Sequence, residues 1–283
     1  MSKILDLKLK TPTDSELIEG SNIVLNALGE TDLSRFDTMG VFCIAMKENE
    51  LAHFIVAKTK KKIIGMGAIF LYKSLAWIGV MGVEVFFQRK GVGKEIIKHL
   101  LSYAQDRDIK TIKLDATDKG RGLYQKHGFK EEYPVSMYKI NAIGDKNKPV
   151  DTCDLEISEE LPVWLLNLDK KAFGGDRSSF LRFQHKQGKT IIADNLGYGM
   201  VIGDRVGPVI AENVDIAIKI VKYAYHLEAR KIYVPHHEAL SAKFISSLSL
   251  KWKEQTRCTR MILGEKINED INRLYASYSF ATG

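Results

Sequence analysis

Apolar and polar positions cut this chain into short segments of changing period. Near the start, Leu5, Leu7 and Leu9 alternate with Asp6 and Lys8, with Ile4 beside them, which predicts a first or edge strand. Thr11–Leu28 predicts a helix, with Thr13 or Asp14 as its cap. Residues 31–50 read as a second helical or irregular stretch. Strands follow near 52–58, 62–72 and 75–85, then near 110–115 and 129–140. Between the last three, Ile96, Ile97, Leu100, Leu101 and Ala104 fall on one face of a helix. Gly120–Phe129 reads as a short helix stopped by Gly128.

The polar stretch Asn141–Asp154, with Gly144 and Pro149, is the natural linker. Behind it the order repeats loosely. Strands near 189–194 and 198–204 precede Gly207-Pro208, and a helix over 212–227 aligns Ile216, Ala217, Ile220, Val221 and Ala224. A strand at 230–234, a helix at 238–248 and a strand at 250–263 complete the second half. The pattern predicts two related α/β units without a strong sequence repeat.

Ile63–Phe87 is apolar and follows Lys60-Lys61-Lys62, as a membrane span would. Lys73 divides it, Glu84 sits near its end, and Gly65, Gly67, Gly79 and Gly82 punctuate it. Two buried strands of about ten residues fit better than one span of about 20.

The chemistry concentrates where the third of these strands meets the helix. Met81-Gly82-Val83-Glu84 runs into Gln88-Arg89-Lys90-Gly91-Val92-Gly93-Lys94, and the helix begins at once. A helix that opens on glycines presents backbone N–H groups and the positive end of its dipole, a site for an anion. The P-loop pattern fails, because the glycine spacing is wrong and no Ser or Thr follows Lys94. The dinucleotide fingerprint fails too, since Ile96 stands where its last glycine belongs.

The segment resembles the Gln/Arg-x-x-Gly-x-Gly/Ala signature of the GNAT family of N-acetyltransferases. Downstream, Leu123-Tyr124-Gln-Lys-His127-Gly128-Phe129 resembles that family's second hallmark. The two occur in family order over roughly residues 3–140. Pieces of the second half also resemble the C-terminal domain of tandem members: Ala172–Ser178 with Asp176-Arg177, Gly197-Tyr198-Gly199, Gly207–Ala211 and Thr259–Gly264. The resemblance implies an α/β (α+β) fold of two GNAT-like domains, each a mixed, mostly antiparallel sheet flanked by helices. These would be an N-terminal domain at 1–141, a linker at 142–154 and a C-terminal domain at 155–283 lacking the CoA signature.

It further implies acetyl-CoA as cosubstrate and direct transfer of its acetyl group to a primary amine, in a small molecule or a peptide. Gln88, Arg89, Lys90, Gly91, Val92, Gly93 and Lys94 would hold the pyrophosphate. The strand edge at Met81, Gly82 and Val83 would pair with pantetheine, and Thr117 and Tyr124 would complete the cofactor contacts. An N-acetyltransferase must deprotonate an ammonium, stabilise an oxyanion and protonate a thiolate. Tyr124 is the expected general acid, since a phenol is protonated at neutral pH. Glu84 is the leading base, and the N–H of Val83 or a neighbour the oxyanion donor. Asp115, at the end of its strand, could be a base, an acceptor contact or the cap of the next helix, with the cap favoured. Asp176-Arg177 reads as a structural ion pair or an acceptor contact. Gly207-Pro208 removes an amide donor, so one cofactor per chain is expected.

Composition adjusts this picture in a few places. The 283 residues carry a formal charge of +7, which suits a polyanionic cofactor. The lysines are scattered except at Lys58–Lys62, read as a solvated hairpin tip, so nucleic acid is not the expected partner. Cys43, Cys153 and Cys258 are too few and too dispersed for a disulfide framework, and no Cys/His cluster has zinc spacing. His236-His237 and His127 read as loop polarity and a helix-end charge. With no signal-peptide core at the start, a cytoplasmic monomer or homodimer is expected. The rival reading is a non-catalytic acyl-CoA-binding or sensing protein on the same fold.

Overall fold

The computed structural model describes residues 6–140, 154–248 and 252–283. Ile4, Leu5, Cys153 and nearly all of the expected linker lie outside the described residues. The chain divides into two compact units, residues 1–113 and 114–283.

In the first unit, β1 (Lys8–Lys10), β2 (Ala52–Lys58), β3 (Ile63–Tyr72) and β4 (Leu75–Val83) pair antiparallel in sequence order. β5 (Thr111–Ala116) then runs parallel to β4, and its last residues open the second unit. The apolar run at 63–87 is thus two strands joined by a turn at Lys73, as its interruptions predict. Among the described residues, no helix is long and apolar enough to cross a membrane.

Helices cover both faces of this sheet. α1 (Asp14–Leu28) begins at a capping box in which Thr13 and Glu16 exchange side-chain and backbone bonds. It packs on β3 and β4, and Gly82 permits the approach: a Cβ there would stand 2.7 Å from the Val24 Cα. α2 (Leu33–Glu48), capped by Asp32, lies against α1. On the other face, α3 (Val92–Gln105) buries Ile96, Ile97, Leu100 and Ala104 against β2 and β3. The expected helix face is therefore the buried one, and apolar burial holds the anion-binding turn to the sheet.

The second unit continues with α4 (Asp118–Gln125) and β6 (Lys130–Ile140). β6 is bonded antiparallel on one edge to β11 (Lys231–Pro235) and on the other to β12 (Trp252–Gly264). Beyond β11 the order is β10 (Arg205–Ala211), β9 (Gly197–Ile202), β8 (Lys189–Ala193) and β7 (Glu156–Ser158). β13 (Leu274–Ala276) also pairs with β10. α7 (Val214–His226) buries Ala217, Ile220, Val221 and Ala224 in the larger core, with Phe244 of α8 (Glu238–Ser247). α5 (Val163–Phe173) and α6 (Ser178–His185) supply Leu165, Leu168, Ala172 and Leu181 to a second cluster.

Two differences from the sequence reading have local causes, and several elements of the second unit, β7 and β13 among them, were not expected. β4 stops at Val83 instead of 85, because Glu84–Phe87 curl into a 3-10 turn closed by Phe87 N–H on Glu84 O at 2.8 Å. β10 passes straight through Gly207-Pro208. The register slips between Val206 and Val209, and proline, which has no N–H, is tolerated at such a bulge. α5 and α6 were not among the expected elements.

Candidate active site

β4 is paired with β5 only over Leu75–Trp77, so its second half leaves that parallel contact. Within this half, Val80 and Met81 stand opposite the single residue Gly67, and Val80 adopts φ 50°. A β-branched residue in the left-handed region is costly, by about 1–3 kcal/mol, and such strain clusters at functional sites. The bulge resets the edge that follows. Glu84 N–H turns back to Ile64 O at 2.9 Å, so the amide groups of the preceding Val83 point the other way, to the edge that β5 has left. The Gln88 side chain donates to Val83 O across that edge at 3.0 Å.

The chain then turns into α3 through two left-handed residues, Arg89 (φ 58°) and Gly91 (φ 88°). Gly91 is the N-cap and has no capping side chain, whereas α1, α2 and α4 are capped by Thr13, Asp32 and Thr117. The first bond involving the helix runs from Glu95 N–H to Gly91 O at 3.1 Å, so the amides of Val92, Gly93 and Lys94 are not consumed by the helix ladder. A Cβ placed on Gly91 would meet nothing within 4 Å. The turn therefore has open space before it, donors aimed into that space, and exposed Arg89, Lys90 and Lys94 around it. That fits a bound diphosphate.

The expected site residues of the first unit thus share one strand edge and one turn. Gly82 has the second duty described above, against α1. Glu84 carries an ion pair with Lys62 at 2.6 Å, a partner the sequence did not suggest. Lys62 and Lys90 both lie over the Phe87 ring, 5.3 and 5.4 Å from its centre. The hairpin lysines are balanced as well: Lys58 bonds Glu16 at 2.6 Å and Lys60 reaches Asp6 at 3.4 Å.

In the second unit, Tyr124 sits on α4 with its ring edge-on to Phe129, centroids 5.8 Å apart. Burial raises its hydroxyl above the ordinary tyrosine range, and the neighbouring Cys258 thiol adds to the shift. Cys258, on β12, is pushed up to about 12 by burial, with Asp115 and Asp118 contributing. Both groups therefore carry their protons at neutral pH. Gly128 ends this segment at φ 89°, as expected of a helix stop.

Asp115 is not the cap of α4. Thr117 is, accepting from Gly120 N–H at 3.3 Å. Asp115 instead receives both Nε and Nη2 of Arg260 at 2.9 Å, and Arg260 also donates to the Tyr133 hydroxyl and to Ser277 Oγ, each at 3.2 Å. A carboxylate two residues nearer the strand cannot turn back to the helix amides while it is clasped by a buried guanidinium. Arg177 pairs with Asp169 at 2.8 Å, also buried, a partner the sequence reading of Asp176-Arg177 did not name. Asp176 instead caps the turn at Ser178. Cys43 is fully buried, and burial pushes its thiol up to about 12.

The helix of the second unit that corresponds in order to α3 is α7, and its entrance is closed. Asn213 Oδ1 accepts from the N–H groups of both Asp215 and Ile216 at 3.1 Å, and Asp215 places a negative charge in the first turn.

Among known proteins, a model of the acetyltransferase (GNAT) family matches residues 24–129, and one of an acetyltransferase (GNAT) domain matches 165–276. A putative acetyltransferase from Pyrococcus horikoshii shares 30% identity over 98% of this chain and 96% of its own, with a TM-score of 0.88. The uncharacterized N-acetyltransferase YitH of Bacillus subtilis is 30% identical over 169 residues, and the match spans 56% of this chain and 59% of that protein. A tandem GNAT protein of the clavulanic acid biosynthesis pathway has the same fold at 11% identity, with a TM-score of 0.60 over 91% of this chain and 98% of its own. The chain belongs to the GNAT family of acetyltransferases and carries two GNAT domains, one matched in each half.

Proposed function

We propose that this protein is an acetyl-CoA-dependent N-acetyltransferase that moves the acetyl group directly to a primary amine. The observation that carries the reading is the path from the bulged edge of β4 into the uncapped start of α3. It offers strand-edge amides, then a cluster of unused helix amides, in the order in which a pantetheine arm and a diphosphate would need them. Acetyl-CoA, when bound, supplies the acetyl group as an activated thioester.

The residues of this chain divide the remaining work. The amides of Val92, Gly93 and Lys94, with Arg89 and Lys90, hold the diphosphate. Val83 N–H, directed to the open edge, donates to the thioester oxygen as negative charge gathers there. Glu84 takes a proton from the ammonium through water, because an aliphatic ammonium titrates near 10 and is charged at neutral pH. Lys62 holds the Glu84 carboxylate in place through their ion pair at 2.6 Å. The Tyr124 hydroxyl, protonated at neutral pH as a phenol is, gives its proton to the departing sulfur. Thr117 holds the start of α4 and so the position of that tyrosine. The Asn213 cap and the acidic entrance of α7 support a single cofactor per chain.

The test is thermal melting with acetyl-CoA, CoA and ATP, for the natural protein and for Gly91→Glu/Gly93→Glu, followed by thiol release across a panel of amines. A CoA-selective rise in Tm that the variant lacks supports the site. No rise at saturating acetyl-CoA sinks the reading. A rise without thiol release for any amine leaves binding alone, the sensing alternative.

A further inference from the structure

On the face of the first unit where α3 crosses β2, two histidines point at each other. His53 Nε2 and His99 Nε2 are 3.1 Å apart, one from the strand and one from the helix. Tyr103, one turn after His99, stacks on the His53 ring with centroids 3.8 Å apart and planes 7° from parallel, so that imidazole is held flat in place. The Arg107 guanidinium lies over the Tyr103 ring at 3.5 Å. Both histidines are half-buried, so water still reaches the pair.

Two facing Nε2 atoms can share only one proton. They can also share a cation. An ion held about 2.0–2.1 Å from each nitrogen would see them at an angle of roughly 100°, between the octahedral and tetrahedral values. The separation of the two nitrogens is therefore within the range of one chelated ion. We infer that His53 and His99 form a two-imidazole site for a divalent transition ion of the copper, nickel or zinc type, with water filling the other positions. Imidazole nitrogen suits these ions and not magnesium or calcium, which require oxygen ligands. The ion would tie the helix that opens on the Gly91 turn to strand β2. Among the described residues, no third His, Cys, Asp or Glu completes a cluster, so the ion would be exchangeable and not a buried structural centre.

The probe is Cu²⁺, titrated into the full chain and followed by electron paramagnetic resonance and calorimetry, with Ni²⁺ and Zn²⁺ as companions. The natural protein should bind one equivalent with splitting from two nitrogens. His99→Gln, whose amide can still donate to His53 and preserve the packing, should weaken that binding about tenfold or more. His53→Ala/His99→Ala should abolish it and also abolish any metal-dependent rise in Tm. Binding of equal strength in His99→Gln and the natural protein overturns the proposal, and so does splitting from fewer than two nitrogens. Acetyl-CoA melting shifts, measured alongside, report on the separate Gly91 turn.

Discussion

Replacing Asp115 with asparagine tests whether the carboxylate at the end of β5 is part of the scaffold or part of the chemistry. Both members of its pair with Arg260 are buried, with side chains 0% and 2% exposed. Asp115→Asn keeps the shape and removes the negative charge from the guanidinium, which also donates to the Tyr133 and Ser277 hydroxyls. Breaking a buried pair in this way costs about 3–5 kcal/mol, because the guanidinium loses its paired carboxylate while it stays out of water. Unfolding entropy is about 2.1 cal/mol/K per residue, so for the roughly 170 residues of the second unit the loss lowers Tm by about 8–14 °C. Replacing both partners by apolar residues, Asp115→Leu/Arg260→Met, should cost less than either single change, since neither charge is then stranded. Calorimetry reads the stability, and thiol release at 25 °C reads the chemistry. A structural Asp115 leaves kcat of the folded protein within about twofold, whereas a general base would lose roughly a hundredfold or more. A fall in Tm under about 2 °C, or a double variant as damaged as the sum of the singles, would refute the reasoning.

Three further outcomes follow from other sites. Tyr124→Phe should lower kcat by about 10²- to 10⁴-fold while leaving the acetyl-CoA melting shift intact, and an unchanged kcat with chemistry rate-limiting would remove the phenol from the mechanism. Gly91→Ala should cost about 1–2 kcal/mol by urea denaturation, from its φ of 88° alone, because no atom lies close enough to clash; a loss beyond about 3 kcal/mol would mean that contacts and not backbone strain set the cost. Hydrogen bonds from Lys58, from Thr13 N–H and from Lys10 lower Glu16 to about 2 from the usual 4.5. A depressed acid stabilises the fold above its unfolded pKa, and that contribution drains away as pH falls from about 4.5 through about 2. Glu16→Gln should therefore flatten the acid limb of stability in that window, and an unaltered limb would show the pair to be solvent-screened.

Most strands were legible in the sequence because short, nearly continuous apolar runs bounded by lysines and glycines fit strands buried between two helix layers. β2 and β3, and the buried face of α3, fall where periodicity puts them. α5 carried a readable signal too, in Leu165, Leu168 and Ala172 at helical spacing, but the expected elements did not extend to it. The Val80 bulge had only an indirect sign, Gly79 and Gly82 inside a strand pattern. Asp115 shows where local reading misleads. A carboxylate just before a helix looks like a cap, and nothing nearby in sequence announces that Arg260, 145 residues on, will claim it.

By itself, the sequence determined the alternation of strands and helices, the Gly91 turn at the head of α3 and the tyrosine segment stopped by Gly128. These depend on backbone freedom and on apolar spacing, which are properties of neighbours along the chain. Tertiary structure alone decided the bulge that turns the Val83 amide to the open edge and the Lys62 partner of Glu84. It also decided the clasp on Asp115 and the meeting of His53 with His99. Each of these needs a second segment brought within a few ångströms, and the register and packing that bring it there are set by the whole sheet rather than by any local run of residues.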